Sequence, residues 1–524
     1  MNANNISDHL FILIKSMSKA EKQYFKLNIV KRSSAEKTIY LTLFNAIESQ
    51  KEYDKEKILK KIKVIKFDQF ANVKHYLYEL ILTTLRNMYA DNSIDLELSC
   101  MIQNVEILYN RALFNLCWKI LEKAKKLAQR HEKFLSILDI LAWEMKLLGK
   151  EKALDKTKKY IEKPGKEVNT VIEKWTNLRE YKDLSIKLQY YYSIDASLQN
   201  EEVKKYVESV FNHPLLQKEE APLSYYAKGD YYHLRSLYFH LRKNDAENAM
   251  IYTKKRLQLY ESHPEMEKED FENYINNMNN YIGWRILLRH HDEKFIYLEK
   301  LRTILYNKKL VSTQQLREKI FQSYYLNTLI LYNASGEFEK GIPFIQEMEN
   351  FIEEYHLNLP KFFQISIHFH IASLYFGISK FDKALSSLNK LIIYKEKEDN
   401  FIRKDIHCAS RLLELIIHYE LKNENLLEYK LLSAYRYLPK ENMLYKTETI
   451  MLNFIKQLPK VQTAKELLSL FQRSEKKIAT IIQEKDPEEL NVLDYIDLHS
   501  WMVSKIESRS FSEIVKEKNQ LIHK

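Results

Sequence analysis

The chain has 524 residues, more than one hydrophobic core usually supports, so we expect several domains or a repeat array. With only 7 Gly and 9 Pro it lacks the turn residues that strand-rich folds need, and this composition predicts an all-α protein. The net charge of +11 is uneven, because residues 1–90 hold 16 Lys and Arg against 9 Asp and Glu, a balance of +7. We therefore expect an electrostatic partner to approach the N-terminal part.

Short helices with capped starts are predicted for the N-terminal region. Ser18-x-x-Glu21 has the pattern of a capping box, in which each side chain satisfies a free backbone N–H of the other residue. Asp54 stands at the N-cap position of a helix that contains Ile58. A further amphipathic helix is predicted from about residue 69 to 86.

Lysines are concentrated on two of these helices. The helix after Ser18 brings three of them within about 60° on one face, and residues 55–66, KEKILKKIKVIK, contain six more with one Glu. We expect Ala20, Tyr24 and Leu27 to anchor the first helix on another face. The lysines are either candidate phosphate contacts or a solvated surface. The candidates are Lys19, Lys22, Lys26, Lys60, Lys61 and Lys63.

From about residue 95, long amphipathic helices recur and one phrase repeats. It is clearest at Phe369–Leu391, FHIASLYFGISKFDKALSSLNKL, where Ala372 and Tyr375 lie on one predicted helix and Ala384 on the next. The phrase also occurs in four weaker copies. The residues that correspond to Ala384 in these copies are Cys117, Ala249, Gly341 and Glu428. The phrase resembles a tetratricopeptide repeat, in which small residues let two antiparallel helices pack closely.

The resemblance implies an α-solenoid of antiparallel helix pairs, a tetratricopeptide-like superhelix. Its period is longer than the usual one of about 34 residues: 43 residues separate Gly341 from Ala384, and 44 separate Ala384 from Glu428. The predicted organisation is a basic helical N-terminal domain at residues 1–92, the superhelix at 93–460, and a C-terminal helical cap at 461–524.

A second resemblance concerns the N-terminal region. The opening LFILIKSMSKAEKQYFKL, together with FANVKHYLYELILTTLR at residues 70–86, is similar to the start of a group of uncharacterised cytoplasmic helical-repeat proteins from Bacteroidetes bacteria. This resemblance implies a bacterial, cytoplasmic protein with that fold, and it assigns no activity to single residues.

Motifs for catalysis, cofactors or metals are missing from the sequence. GEFEKG at residues 336–341 has the glycine spacing of a phosphate-binding loop, but Ile342 and Pro343 follow it where Lys and Ser or Thr are needed. There is no HExxH or GxSxG, and the three cysteines form no CxxC pair. We expect a protein that is not an enzyme and needs no cofactor.

One segment has the composition of a membrane span or of a buried repeat helix. Phe362–Ser379 contains no Asp, Glu, Lys or Arg, but its Gln, Ser and His side chains favour the buried helix. Residues 1–9 carry no Lys or Arg, and the following apolar run is too short for a secretory signal. We therefore expect no membrane span and a cytoplasmic location.

Tyrosine is unusually frequent, with 36 copies, several of them adjacent. Such side chains either fill helix–helix interfaces or line a concave groove where they contact a partner. The candidate groove wall is Tyr225, Tyr226, Tyr231, Tyr232, His233 and Arg235. The predicted function is a non-catalytic scaffold that binds a protein or peptide in this groove. The alternative is a nucleic-acid- or ribosome-associated regulator that binds phosphates through the basic N-terminal domain.

Overall fold

Every regular element described by the computed structural model is a helix, so the predicted all-α class is confirmed. The described residues are 6–30, 34–62, 69–89, 93–150, 157–158, 165–194, 200–243, 245–288, 294–307, 310–311, 313–393, 403–440, 443–484 and 487–522. The chain divides into two units, the first being Met1–Leu198 with Lys218–Lys228 and the second Gln199–Gln217 with Gly229–Lys524. This division does not test the boundaries expected near residues 92 and 460, which stay predictions.

The first unit contains two hydrophobic cores. Its helices are α1 (Ile6–Ser16), α2 (Lys19–Val30), α3 (Ser34–Glu48), α4 (Lys55–Lys61), α5 (Phe70–Tyr89), α6 (Ile94–Tyr109), α7 (Phe114–Arg130), α8 (Phe134–Leu148) and α9 (Lys166–Ile194). Helices α1 to α5 enclose one core, in which the rings of Phe25 and Phe44 lie 4.7 Å apart. Helices α6 to α9 enclose the other, where Cys117, Leu121 and Ala124 are fully buried on α7.

The helix starts predicted for the N-terminal region are confirmed. Ser18 Oγ accepts from the backbone N–H of Glu21 at 3.2 Å, and Glu21 Oε2 accepts from the N–H of Ser18 at 2.5 Å. Asp54 Oδ1 accepts from the N–H of Lys57 at 3.0 Å. Each bond satisfies a donor that the helix itself leaves free, a contribution of about 1 kcal/mol per cap.

The buried face of α2 differs from the predicted one. Ala20 is exposed and Leu27 is 57 % exposed, while Tyr24 is only half-buried. Phe25 and Ile29 face the core instead, because α2 packs against both α3 and α5 and this i, i+4 pair lies on that side. The prediction was wrong because α2 has two partly apolar faces. Helical periodicity alone does not tell which of them is buried.

The second unit is built from a row of helices that stack on one another. Its helices are α10 (Glu201–Phe211), α11 (Tyr225–Lys243, beginning in the first unit), α12 (Ala246–Glu261), α13 (Pro264–Glu269), α14 (Phe271–Leu287), α15 (Lys294–Tyr306), α16 (Gln314–Ser335), α17 (Phe338–Tyr355), α18 (Lys361–Gly377), α19 (Phe381–Ile393), α20 (Lys404–Glu420), α21 (Glu424–Lys440), α22 (Lys446–Gln457), α23 (Ala464–Glu484), α24 (Pro487–Leu490), α25 (Leu498–Glu507) and α26 (Phe511–Ile522). Helices α12, α14, α16, α18, α20 and α22 form the stacked row, each packing on the next. Helices α15, α17, α19 and α21 bridge consecutive members. Stacked helix pairs make such contacts, and their superhelical arrangement stays a prediction.

Close helix crossings explain the small residues of the repeated phrase. The predicted helix pair at Phe369–Leu391 is present as α18 and α19, and Ala372 and Ala384 are fully buried between them. On α17, a Cβ added to Gly341 would lie 2.5 Å from Leu374 Cδ1 of α18, so no larger residue fits without movement. The identity of these pairs as tetratricopeptide repeats stays a prediction.

Buried asparagines link successive helices of the stacked row. Asn277 Nδ2 on α14 donates to Thr253 O on α12 at 3.0 Å. Asn327 Nδ2 on α16 donates to Asn279 Oδ1 on α14 at 2.7 Å, and Asn333 of α16 reaches a carbonyl of α18. Because an unpaired amide is costly in a core, these hydrogen bonds favour one register of each helix on the next.

The C-terminal segment, residues 487–522, contacts α20 and α22 at the end of the row and also helices that precede them. The ring of Phe511 on α26 lies 5.6 Å from that of Phe338 and 5.4 Å from that of Phe376. Asn519 Nδ2 donates to Ala334 O at 2.7 Å, which satisfies a carbonyl that the end of α16 leaves free. The segment therefore covers α16, α17 and α18 along one side.

Candidate binding groove

The six residues predicted to form a groove wall lie on α11 in different environments. Tyr231 and Tyr232 are buried, so they take part in helix packing and offer little surface to a ligand. The four half-buried ones are Tyr225, Tyr226, His233 and Arg235. The interface-filling alternative thus describes Tyr231 and Tyr232, and a partner-binding role stays a prediction for the other four.

The guanidinium of Arg235 is held by aromatic rings. Its Cζ atom lies 5.0 Å from the ring centroids of Tyr238 and Phe239 and 5.4 Å from that of Tyr252. Lys255 Nζ approaches the same Tyr252 ring at 5.1 Å. Contacts of this kind contribute about 0.5–1 kcal/mol each at exposed sites. These contacts pack α11 on α12. The aromatic residues that are close in sequence around Arg235 therefore serve helix packing.

Glu48 lies between two lysines of the α2 stripe. Lys22 Nζ is 3.6 Å and Lys26 Nζ is 2.7 Å from its carboxylate oxygens. Partial burial opposes the ionised form of Glu48, but Lys26 and Lys22 outweigh it and hold the pKa of Glu48 below its usual value. A carboxylate between these two lysines weakens their attraction for phosphate.

Of the remaining candidate lysines, Lys19 lines one pocket with Lys22 and Lys26, whereas Lys60 and Lys61 lie on α4. Lys19 is exposed at the start of α2, and Lys60 is exposed near the end of α4. Lys61 Nζ donates to Ser49 Oγ at 3.5 Å. Lys63 lies outside the described residues. Lys19, Lys60 and Lys61 are exposed, and phosphate binding stays a prediction.

A groove of about 780 Å³ lies in the first unit between α7, α8 and the first turns of α9, and we call it the α8 groove. Its floor is apolar, formed by Trp118, Phe134, Ile137, Leu141, Met145, Leu148, Val168 and Val171. Most of these side chains also pack into the core beneath, whereas Met145 is half exposed. The flexible thioether of methionine adapts to ligands of different shape.

The rim of the α8 groove is charged, and three of its charged side chains are joined by ion pairs. Lys125 Nζ on α7 lies 3.0 Å from Glu144 Oε2 on α8 and 2.9 Å from Glu167 Oε2 on α9. Burial disfavours the charge on Lys125, but Glu167 and Glu144 outweigh burial and raise its pKa. Gln129 Nε2 adds a hydrogen bond to Glu167 Oε1 at 3.3 Å. One lysine thus ties together the three helices that set the width of the groove.

Glu132 connects the α8 groove to the helix of the predicted tyrosines. It stands in the turn between α7 and α8 with a φ of 51°, and its carboxylate lines the groove. Its two oxygens accept from the backbone N–H groups of Tyr225 at 2.9 Å and Tyr226 at 3.3 Å. A carboxylate is favourable at a helix start, so Glu132 caps α11 from another helix pair.

The α8 groove offers a ligand apolar contact on its floor and charged groups at its rim. Within the described ranges, no three His, Cys, Asp or Glu side chains are grouped to hold a metal ion. The sequence did not predict this groove. Its floor is formed by three helices that only tertiary packing brings together.

No protein-family model matches this chain, and no curated protein matches it. The resemblances to tetratricopeptide repeats and to the Bacteroidetes proteins therefore stay predictions.

The uncharged segment that begins at Phe362 lies in α18, where it packs against α16, α17, α19 and α20. Across the described part of the chain, no helix has both the length and the apolar character needed to cross a membrane.

Proposed function

We propose that this chain is a non-catalytic scaffold that binds a protein or peptide, and that the α8 groove receives apolar side chains of the partner. The observation that carries the proposal is the apolar floor enclosed by a charged rim, since its volume of about 780 Å³ suits a ligand site. The charged side chains of the lining sum to zero, because three lysines stand against three glutamates: Lys125, Lys166, Lys174, Glu132, Glu144 and Glu167. The partner is therefore a short segment with two or three apolar anchors.

The fold supports the same proposal. Helix pairs that stack along a row present long surfaces, and proteins built in this way commonly bind peptides or other proteins. We also propose that the helix pairs form a tetratricopeptide-like superhelix. We further propose that the protein is cytoplasmic and bacterial.

A peptide selection tests this function in vitro. Random 12-residue peptides are selected on the full chain, and the affinity of the enriched sequences is measured for Met145→Glu and Leu135→Glu. Both residues are exposed on α8, but only Met145 lines the α8 groove. We expect Met145→Glu to weaken binding tenfold or more, because the carboxylate loses its hydration on contact with an apolar anchor. Failure to enrich any sequence, or an equal effect of Leu135→Glu, would contradict the proposal.

Phosphate binding by the N-terminal lysines is the second candidate, favoured by the exposure of Lys19 and Lys60. Lys19→Glu with Lys60→Glu should lower the affinity for a 20-nucleotide RNA and flatten its salt dependence. The matched control is Lys476→Glu with Lys477→Glu, which reverses two exposed lysines on α23. Equal affinities of the two double variants would dismiss this function.

A further inference from the structure

A cavity of about 320 Å³ lies within the second unit, between the stacked row and the C-terminal segment. One side of it is apolar, formed by Ile286 and Leu287 of α14, Ile330 of α16, Leu493, and Val515 of α26. The volume is at the lower end of the range for small-ligand sites. It would also hold about ten water molecules at their share of liquid volume.

The other side of the cavity is polar, and three of its side chains have an atom without a partner among the described residues. His370 on α18 is 8 % exposed, and its ring nitrogens make no hydrogen bond to the described residues. Asn333 Oδ1 is buried without a hydrogen-bond partner. Asn327 donates through Nδ2 to Asn279 Oδ1 and to Ser323 O, while its Oδ1 accepts from none of the described residues. Buried polar atoms are nearly always paired, so an occupant of the cavity is expected.

Acceptors exceed donors on this polar side. Burial, together with the nearby Arg403, lowers the pKa of His370 to about 3, so the ring is neutral with one acceptor nitrogen and one N–H. The charge of Arg403 is itself engaged, because its Nη2 lies 2.9 Å from Asp405 Oδ2. Asp494 and Asp497 also line the cavity, and the Asp497 carboxylate is held by Lys518 Nζ at 2.9 Å, while the hydroxyl of Tyr495 donates to Asp405. Besides these groups, the cavity offers two amide oxygens and one ring nitrogen against the single N–H of His370.

We propose that this cavity binds a primary alkylammonium group. An ammonium carries three donors and no acceptor, which matches Asn327 Oδ1, Asn333 Oδ1 and the acceptor nitrogen of His370. The alkyl chain lies against the apolar side, at Leu287 and Ile330. The group belongs either to a free small amine or to the lysine side chain of a peptide. This site is independent of the α8 groove, which lies in the other unit.

Three four-carbon probes with different head groups test the proposal on the full chain. Binding of n-butylammonium, 1-butanol and butyrate is measured by ligand-observed NMR at pH 7. We expect n-butylammonium to bind at least tenfold more tightly than 1-butanol, and butyrate not to bind. Equal binding of the ammonium and the alcohol, or binding of none of the three, would overturn the proposal and leave water as the occupant.

Cavity-filling variants locate the binding. Ile330→Trp and Leu287→Trp each fill the cavity without removing a polar contact, and Leu287 is about half exposed, so at least its variant should fold. Both are expected to abolish n-butylammonium binding. Ile251→Trp is the control, because Ile251 is exposed on α12 and does not line the cavity. Unchanged binding by folded Leu287→Trp contradicts the assignment.

A blocked lysine separates the two sources of the ammonium. If Nα-acetyl-lysine N-methylamide binds and its norleucine analogue does not, the site accepts a peptide lysine. If only n-butylammonium binds, the ligand is a free amine. Both results support an alkylammonium site, and Met145→Glu should leave either one unchanged, so this test fails independently of the groove test.

Discussion

Burial changes the chemistry of individual carboxylates in this protein, and Glu448 is the clearest case. Its side chain is 1 % exposed at the start of α22, where Oε2 accepts from the N–H of Tyr445 at 3.1 Å. Glu489 is also buried, and its Oε2 accepts from the N–H of Thr447 at 3.2 Å. Burial raises the pKa of Glu448 to about 7, and the charge of Glu489 adds to the rise. Glu448 is therefore protonated in the folded state near pH 6.

Stability should fall as the pH rises through this range. The folded state holds the Glu448 proton up to about pH 7, whereas the unfolded chain releases it near 4.5. The stabilising effect is complete below pH 4.5 and lost above 7, a change of up to roughly 3 kcal/mol. Glu448→Gln keeps an acceptor for Tyr445 and removes the ionisation. We expect the variant to exceed the wild type in urea midpoint clearly at pH 8 and only slightly at pH 5.

Glu513→Gln is the control for that measurement, because Glu513 belongs to an exposed capping box with Ser510. It should leave the difference between pH 5 and pH 8 as in the wild type. If Glu448→Gln also leaves that difference unchanged, the protonation of buried Glu448 does not control stability.

Among the helices, crossing distance is the property that single residues control most directly. Gly341→Ala places a Cβ 2.5 Å from Leu374 Cδ1, so we expect a loss of about 1–3 kcal/mol in the free energy of unfolding. Gly283→Ala is the matched control, since a Cβ there meets nothing within 4 Å. That change should stabilise α14 by about 0.5–1 kcal/mol. Chemical unfolding of both variants measures the difference, and equal effects would refute the close crossing.

Hydrogen bonds between stacked helices give a second prediction at this scale. Asn277→Ala leaves Thr253 O without its side-chain donor and opens a small cavity, so we expect a loss of about 1–3 kcal/mol in unfolding free energy. Asn280→Ala changes an exposed asparagine on the same helix and should stay within about 0.5 kcal/mol. Hydrogen exchange of α14 should rise only in Asn277→Ala. Equal exchange in both variants would argue against the inter-helix link.

Local patterns predicted the helices better than they predicted the surfaces. The capping box at Ser18 depends on residues three positions apart, so the sequence contains the whole signal. The burial of Leu27 was predicted wrongly because it depends on which helices cover α2. The α8 groove also depends on tertiary packing, since Lys125 meets Glu167 from 42 positions away. No periodicity within one helix contains that information.

At the scale of the whole molecule, the net charge of +11 and the α8 groove suggest different partners. The excess lysine of residues 1–90 attracts polyanions, whereas the α8 groove offers apolar contact behind a neutralised rim. The two candidate functions therefore differ in what they predict at Met145 in the α8 groove. The scaffold function predicts a bound protein there, and the nucleic-acid function does not.

Site-specific photocrosslinking in cells tests the scaffold function most directly. A benzophenone side chain is introduced at Met145 of the full chain, and at Leu135 as the exposed control on the same helix. The proposed function predicts discrete crosslinked species from Met145 that protease removes, that nuclease leaves intact, and that Leu135 does not give. Nuclease-sensitive species, or the same pattern from both positions, would contradict a peptide-binding α8 groove.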